Sequence, residues 1–77
     1  MLPSGICIIV DKKVKNNIRA LRLQNDGMTQ AELAEKIGAT RQTVNAIEAA
    51  KYAPSLELAF KIADALNEPI DNVFYYE

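Results

Sequence analysis

The chain has 77 residues and a formal net charge of −1 at pH 7, which predicts one small domain whose modest core favours self-association. It contains no histidine and one cysteine, which excludes thiolate and imidazole zinc sites, Cys–His or Ser–His nucleophilic pairs and an internal disulfide. No spacing of the remaining polar residues suggests catalysis, so we expect neither an enzyme nor a metal or cofactor site.

An apolar, β-branched run occupies residues 6–10, between Gly5 and Asp11. It is much shorter than the roughly 20 apolar residues of a membrane helix, and its lysines follow it instead of preceding it as in a signal peptide. We therefore expect a short strand in a soluble, cytoplasmic protein without membrane contact. Cys7 within the run is predicted to be a small buried hydrophobe, with a redox role or an intermolecular disulfide as the less favoured alternative.

The first predicted helix follows two asparagines. Asn16 or Asn17 can cap it, and Ile18 and Leu21 then face the core at helical spacing. Residues 25–27, Asn-Asp-Gly, are predicted to end it.

The second predicted helix begins at Gln30. Thr29 is a suitable N-cap, and Glu32 three residues further on can bond back to the cap, which together form a capping box. Gly38 is predicted to end the helix, because glycine adopts the left-handed conformation at little steric cost. Its predicted apolar stripe consists of Ala31, Leu33, Ala34 and Ile37.

The third predicted helix is capped by Thr40. Val44 and Ile47 form its one strong apolar stripe, which must face inward. The opposite side is rich in amide and small side chains, namely Arg41, Gln42, Thr43, Asn45, Ala46 and Ala49. Amides pair with adenine, arginine pairs with guanine, and alanines permit close approach to a groove floor. Any amphipathic surface helix has polar residues outside, so this face alone does not decide between a plain surface and a DNA-recognition surface.

A loop and a fourth helix follow. Pro54 excludes helical conformation for the residue before it, and Ser55 can cap the next helix. The apolar residues of this helix cover a wide arc and are Leu56, Leu58, Ala59, Ile62, Ala63 and Leu66.

The C-terminal residues predict a short helix and a strand. Asn67 ends the fourth helix, Pro69 suits the first turn of a fifth helix through Val73, and residues 74–76 alternate as a strand. Residues 14–16 are the nearest candidate to pair with that strand. The resulting ribbon would expose an aromatic face, which a second copy of the chain would cover. The predicted dimer interface consists of Leu66, Ile70, Phe74 and Tyr76.

Charge is unevenly distributed along the chain. Eight of the nine basic residues lie in residues 1–53, whereas five of the ten acidic residues lie in residues 54–77. The acidic end should point away from phosphates, which assigns the predicted binding face to the first part of the chain.

The segment TQAELAEKIGATRQTVNAIE, residues 29–48, resembles the helix-turn-helix of the lambda-repressor/Cro-like (XRE) family. From about Val14 onward the chain is similar to small stand-alone dimeric repressors of that family. The resemblance implies a mainly α fold, a five-helix lambda-repressor-like DNA-binding domain with a small antiparallel β-ribbon from the N- and C-terminal segments. One departure is Ala50, where the family usually has Gly or Asn. Either this alanine adopts a left-handed cap strained by about 1 kcal/mol, or the helix ends differently.

The resemblance also implies a function and its residues. The protein would be a sequence-specific double-stranded DNA-binding transcriptional regulator, a repressor that binds an inverted-repeat operator as a homodimer. Base contacts would come from Arg41, Gln42, Thr43, Asn45 and Ala46. DNA backbone contacts would come from Gln30, Arg22, Lys51, Tyr52 and Ser55, although Tyr52 has packing on the core as an equal alternative. Arg22 and Glu48 would form a partly buried ion pair between the first and third helices.

The predicted organisation has three parts. Residues 1–16 are an N-terminal extension and strand, residues 17–67 the helix-turn-helix domain, and residues 68–77 a short helix and strand for dimerisation. Since the resemblance starts near Val14, we hypothesise that residues 1–13 are an upstream extension and that natural translation starts at codon 14. No small-molecule-binding domain is expected, so regulation would act through concentration, an unknown protein partner or the extension.

Two other functions compete with the repressor. In an antitoxin, the same domain would bind its own promoter while residues 6–10 cover a toxin. A protein-interaction module that has lost DNA binding is disfavoured by Gln30, Arg41 and Gln42.

Overall fold

The computed structural model describes residues 13–77. The predicted strand at residues 6–10, the buried Cys7 and most of the proposed extension lie outside them. The described elements are β1 (Val14–Asn16), α1 (Ile18–Gln24), α2 (Gln30–Ile37), α3 (Arg41–Glu48), α4 (Leu56–Leu66), α5 (Ile70–Val73) and β2 (Phe74–Tyr76). The strands pair antiparallel, with Val14 opposite Tyr76 and Asn16 opposite Phe74. The predicted five-helix fold with a terminal β-ribbon is confirmed.

Side-chain caps begin three of the helices. At α2, Thr29 Oγ1 accepts from the Glu32 N–H at 3.0 Å and the Thr29 N–H donates to Glu32 Oε1 at 2.8 Å, which is the predicted capping box. Thr40 Oγ1 accepts from the Thr43 N–H at 3.1 Å at the start of α3, and Ser55 caps α4 in the same way. Each of these starts therefore depends on residues at most three positions apart.

Asn16 anchors the start of α1. Asn17 occupies the N-cap position without a side-chain cap bond, and Asn16 Oδ1 instead accepts from the Ile18 N–H at 3.2 Å. The Asn16 amide nitrogen donates to the Ile47 carbonyl at 2.8 Å. One side chain therefore orients α1 and ties the β-ribbon to α3.

The core is built by α1 to α4 and closed by α5. Its buried side chains are Ile18, Leu21, Met28, Leu33, Ala34, Ile37, Val44, Ile47, Ile62, Ala63, Leu66 and Val73. The prediction that Leu66 lies in a dimer interface is wrong, because Leu66 is 3% exposed and packs inside this core. No helix among residues 13–77 is long and apolar enough to cross a bilayer.

Two other burial predictions fail for geometric reasons. Leu56 is 71% exposed, because it lies in the first turn of α4 at the margin of the buried arc formed by Ala59, Ile62, Ala63 and Leu66. Ala31 is exposed as well, since at 100° per residue it lies well off the side of α2 that buries Leu33, Ala34 and Ile37. A wide apolar arc in the sequence therefore overestimates the buried side.

Helix α3 ends in a strained alanine. Ala50 has φ 59°, the left-handed conformation. The Ala50 N–H donates to Ile47 O and the Lys51 N–H to Ala46 O, both at 3.0 Å, which is the bonding of a Schellman motif. Of the two alternatives for this position, the chain adopts the strained left-handed cap.

Candidate nucleic-acid interface

The surface is carried by the turn between α2 and α3. Gly38 ends α2 with φ 72°, and the Ala39 N–H donates to Ala34 O at 2.9 Å. Ala34 is buried on the same side of α2 as Leu33 and Ile37. Val44 and Ile47 hold α3 on the core, so the opposite side of α3 faces solvent.

The outward side of α3 carries the predicted base-contacting residues. Arg41, Gln42 and Asn45 are exposed, whereas Thr43 and Ala46 are half-buried. Thr43 Oγ1 lies 3.0 Å from Thr40 Oγ1, so its hydroxyl is shared with the helix cap. The polar groups most available to a ligand are therefore the guanidinium of Arg41 and the amides of Gln42 and Asn45.

A buried ion pair joins α1 to the end of α3. Arg22 Nε donates to Glu48 Oε2 at 2.6 Å, and Arg22 Nη2 donates to Glu48 Oε1 at 3.1 Å. The two side chains are only 8% and 9% exposed. Arg22 Nη1 donates further to the Met28 carbonyl at 2.7 Å. The structure contains the predicted ion pair, and its burial argues against the predicted phosphate contact by Arg22.

Gln30 extends this network to the outward face. Its Nε2 donates to Glu48 Oε1 and to Asn45 Oδ1, both at 3.2 Å. The sequence predicts Gln30 only as a DNA-backbone contact and does not indicate its bond to Asn45. The 15 residues between Gln30 and Asn45 leave no local signal for such a contact.

The remaining predicted backbone contacts lie on the loop after α3 and at the start of α4. Lys51, Tyr52 and Ser55 are all exposed. Tyr52 lies outside the core, so the alternative in which it packs there is not adopted. Ser55 Oγ accepts the α4 cap bond, and its hydroxyl hydrogen is still able to donate.

Arg19 is a basic residue that is not among the contacts predicted from the sequence. It is exposed on α1 and lines one shallow depression together with Gln30, Asn45 and Ala49. The available signal was its position three residues before Arg22, on a neighbouring part of the α1 surface.

The predicted dimer residues other than Leu66 lie at or near the ribbon. Ile70 and Phe74 are half-buried against the core, whereas Tyr76 is 51% exposed and its cross-strand neighbour Val14 is 44% exposed. Within residues 13–77, the His, Cys, Asp and Glu side chains form no group of three or more that is able to hold a metal ion.

Comparison with known proteins defines the class. The helix-turn-helix family model (HTH_3) matches residues 18–73, and the chain belongs to this family of XRE-type regulators. An uncharacterized HTH-type transcriptional regulator of Methanocaldococcus jannaschii is 47% identical over 64 residues, which cover 83% of this chain and 96% of that one. The uncharacterized HTH-type transcriptional regulator YgzD of Bacillus subtilis is 45% identical over 64 residues, with the same coverage of 83% and 96%.

A solved structure has the same fold. The crystal structure of a candidate DNA-binding protein from Bacteroides fragilis superposes with a TM-score of 0.70 and 27% identity, covering 80% of this chain and 98% of that one. The resemblance to the lambda-repressor/Cro-like family is thereby confirmed, and with it the membership of a class of transcriptional regulators.

Proposed function

We propose that the protein is a sequence-specific double-stranded DNA-binding transcriptional repressor that acts in the cytoplasm as a homodimer. The observation that carries this proposal is the solvent-facing side of α3, on which Arg41, Gln42 and Asn45 stand exposed on a helix fixed to the core by Val44 and Ile47. A rigid helix that presents a guanidinium and amides matches the donor and acceptor pattern of the major groove.

The division between base and phosphate contacts follows from position. Arg41 and Gln42 lie in the first turn of α3, the end that contacts base edges when a recognition helix enters the major groove. Thr43, Asn45 and Ala46 continue that surface along the helix. Lys51, Tyr52 and Ser55 flank it and would bind the DNA backbone, to which we add Arg19 on α1. For Gln30, a phosphate contact would use its main-chain N–H at the start of α2.

Selection of bound sites from random duplexes tests this assignment. The wild type should enrich an inverted repeat. Gln42→Ala should relax the preference at one base pair by about 1–3 kcal/mol, because one side chain reads one base edge. Lys51→Ala should weaken all sequences alike and lower the salt slope by about one unit.

Lys61→Ala is the matched control for the lysine, since Lys61 is exposed on α4 in the acidic part of the chain and should leave binding unchanged. Uniform losses for both Gln42→Ala and Lys51→Ala would contradict the division into base and phosphate contacts.

The homodimer is supported by the exposed end of the ribbon. Val14 and Tyr76 are cross-strand neighbours on the same face as Phe74, but they extend beyond the core that Phe74 packs against. A second copy related by a two-fold axis would cover Tyr76, Val14 and the exposed edges of Ile70 and Phe74. The two copies of α3 would then lie about 34 Å apart and enter successive major grooves on one side of the duplex.

Sedimentation of charge variants tests the dimer. Tyr76→Asp should give a folded monomer with much weaker operator binding, because one half-site binds weakly. Tyr75→Asp is the control, since Tyr75 lies on the opposite face of the ribbon and this variant should remain dimeric. Phe74→Asp is a poorer probe because Phe74 packs on the core, so its loss would also lower stability. A wild-type monomer at micromolar concentration would rule out this arrangement.

Repression requires only that the bound dimer occupy promoter DNA. A reporter with the selected site between promoter and gene should lose expression when the protein is produced, and increased expression would refute the repressor assignment. The antitoxin alternative depends on residues 6–10, and no contact among residues 13–77 favours it, so we do not propose it.

A further inference from the structure

The amide of Gln30 bridges two residues of the recognition helix. Asn45 and Glu48 are three positions apart on α3, so they lie on one side of that helix. Gln30 Nε2 lies 3.2 Å from Asn45 Oδ1 and 3.2 Å from Glu48 Oε1. Glu48 is itself held by Arg22 through two bonds, of 2.6 and 3.1 Å. A continuous chain of hydrogen bonds therefore runs from the buried guanidinium to the exposed amide of Asn45.

The chemistry of these groups fixes the direction of every bond. Both oxygens of the Glu48 carboxylate accept from the Arg22 guanidinium, and the Gln30 amide faces Glu48 with its NH2 group. That same NH2 group faces Asn45, which must therefore accept through Oδ1. The NH2 group of Asn45 is left on the far side, where no hydrogen bond within residues 13–77 uses it. Through Gln30, the Arg22–Glu48 pair thus favours one orientation of the Asn45 amide.

We propose that Gln30 is a positioning residue for sequence recognition: it holds Asn45 so that the amide NH2 group, a donor, points to the DNA. This inference rests on the proposed function. An outward donor reads a base edge that offers an acceptor, namely guanine O6 and N7, thymine O4 or adenine N7. Cytosine presents its N4 donor in the major groove and is disfavoured at that position. Asn45 therefore discriminates against cytosine, and its two-bond pairing with adenine is weakened because Oδ1 faces Gln30.

This role differs from a phosphate contact by the Gln30 side chain. The two hydrogens of Nε2 have two protein acceptors, and the Oε1 atom of the same amide cannot donate to a phosphate oxygen. A phosphate contact would contribute equally to every sequence, whereas a positioning role affects only the base pair that Asn45 reads. The two roles are therefore separable by measuring sequence preference.

The experiment compares Gln30→Met with the wild type in the selection from random duplexes, followed by affinity measurements on single-base variants of the site. Methionine keeps the length of the side chain and removes the hydrogen bonds. Asn45→Ala identifies the base pair that Asn45 reads. At that pair, Gln30→Met should lower discrimination about threefold to tenfold, the range expected for loss of one orienting hydrogen bond. In the Asn45→Ala background the same substitution should have no further effect on discrimination.

Gln24→Met is the matched control, because Gln24 is an exposed glutamine at the end of α1 and its replacement should leave the preference unchanged. Asn45→Asp supplies a second measurement that leaves Gln30 in place. Its carboxylate still accepts from Gln30 but presents an oxygen to the groove, so the preference should move toward cytosine, whose N4 group donates there and which the wild type disfavours.

The outcomes are separable from failure of the proposed function. No enriched site for the wild type would refute the proposed function itself. An enriched site with cytosine opposite Asn45 would overturn the positioning proposal, as would a uniform loss of affinity in Gln30→Met that persists in the Asn45→Ala background. Unchanged discrimination in Gln30→Met would overturn it as well. Guanine, thymine or adenine at that position, with an effect of Gln30→Met that requires Asn45, would support it.

Discussion

The helix-turn-helix segment, residues 28–50, and the C-terminal segment, residues 56–77, are stabilised by different kinds of interaction. In the first, the caps at Thr29 and Thr40 and the turn at Gly38 close through bonds between residues at most five positions apart. In the second, the arrangement depends on which side of an apolar helix meets the core. Leu66 and Leu56 on the same helix have opposite environments, one inside the core and one in solvent. Local hydrogen bonds therefore define the conformation of the first segment more completely than the apolar pattern defines the packing of the second.

A substitution of Leu66 should give the largest change in stability among the tests of this comparison. Leu66→Ala should lower the free energy of unfolding by about 4 kcal/mol, because it removes a side chain buried within one chain and leaves a cavity. Leu56→Ala is the matched control and should change stability by less than about 0.5 kcal/mol, since Leu56 is exposed. Denaturant unfolding at two protein concentrations measures both. If Leu66→Ala costs more stability at the higher protein concentration, where the dimer is favoured, then Leu66 does contribute to the dimer interface.

The ion pairs of the two segments provide the second test. Glu48→Ala should cost on the order of 3 kcal/mol, because it leaves the buried Arg22 guanidinium without its partner. Glu57→Ala is the matched control on α4, where Glu57 lies 3.8 Å from Lys61 in an exposed pair four residues apart. Such pairs contribute about 0.3–0.5 kcal/mol. Thermal melting of both variants gives the comparison, and similar losses for the two would mean that burial does not strengthen the Arg22–Glu48 pair.

The features that the sequence predicted are those encoded by short spacings. The capping box of Thr29 and Glu32 and the turn at Gly38 follow from conformational preferences of the residues themselves. The pairing of residues 14–16 with residues 74–76 was predicted because the strand at residues 74–76 was too short to be stable alone. The Arg22–Glu48 pair was found through the family resemblance, because a separation of 26 residues carries no local pattern.

The features that the sequence did not predict are set by tertiary geometry. The bonds from Gln30 to Asn45 and from Asn16 to the Ile47 carbonyl join residues 15 and 31 positions apart, and each requires a packed interface to bring them together. Exposure on α4 was misjudged in a related way. Leu56 is 71% exposed although it belongs to the predicted apolar arc, because only one side of the 11-residue helix meets the core. An apolar composition indicates that a helix packs on the core, but it does not indicate how many sides of the helix are buried.

The smallest predicted effect lies at Ala50, where local preference and observed conformation disagree. Ala50→Gly should raise the free energy of unfolding by about 0.5–1 kcal/mol. The substitution relieves about 1–2 kcal/mol of strain in the left-handed conformation at φ 59°. Part of this stabilisation is lost because glycine has a larger conformational entropy in the unfolded chain. The adjacent Ala49→Gly is the matched control, because Ala49 has φ −80° and gains no strain relief. It should be destabilised by about 0.4–1 kcal/mol through the entropy term alone. Opposite signs at two neighbouring alanines, measured by thermal unfolding, would show that the Schellman bonds of Lys51 and Ala50 hold the strained residue in place. Equal destabilisation at both would mean that the α3 cap relaxes in solution and that this segment is less locally determined than its hydrogen bonds indicate.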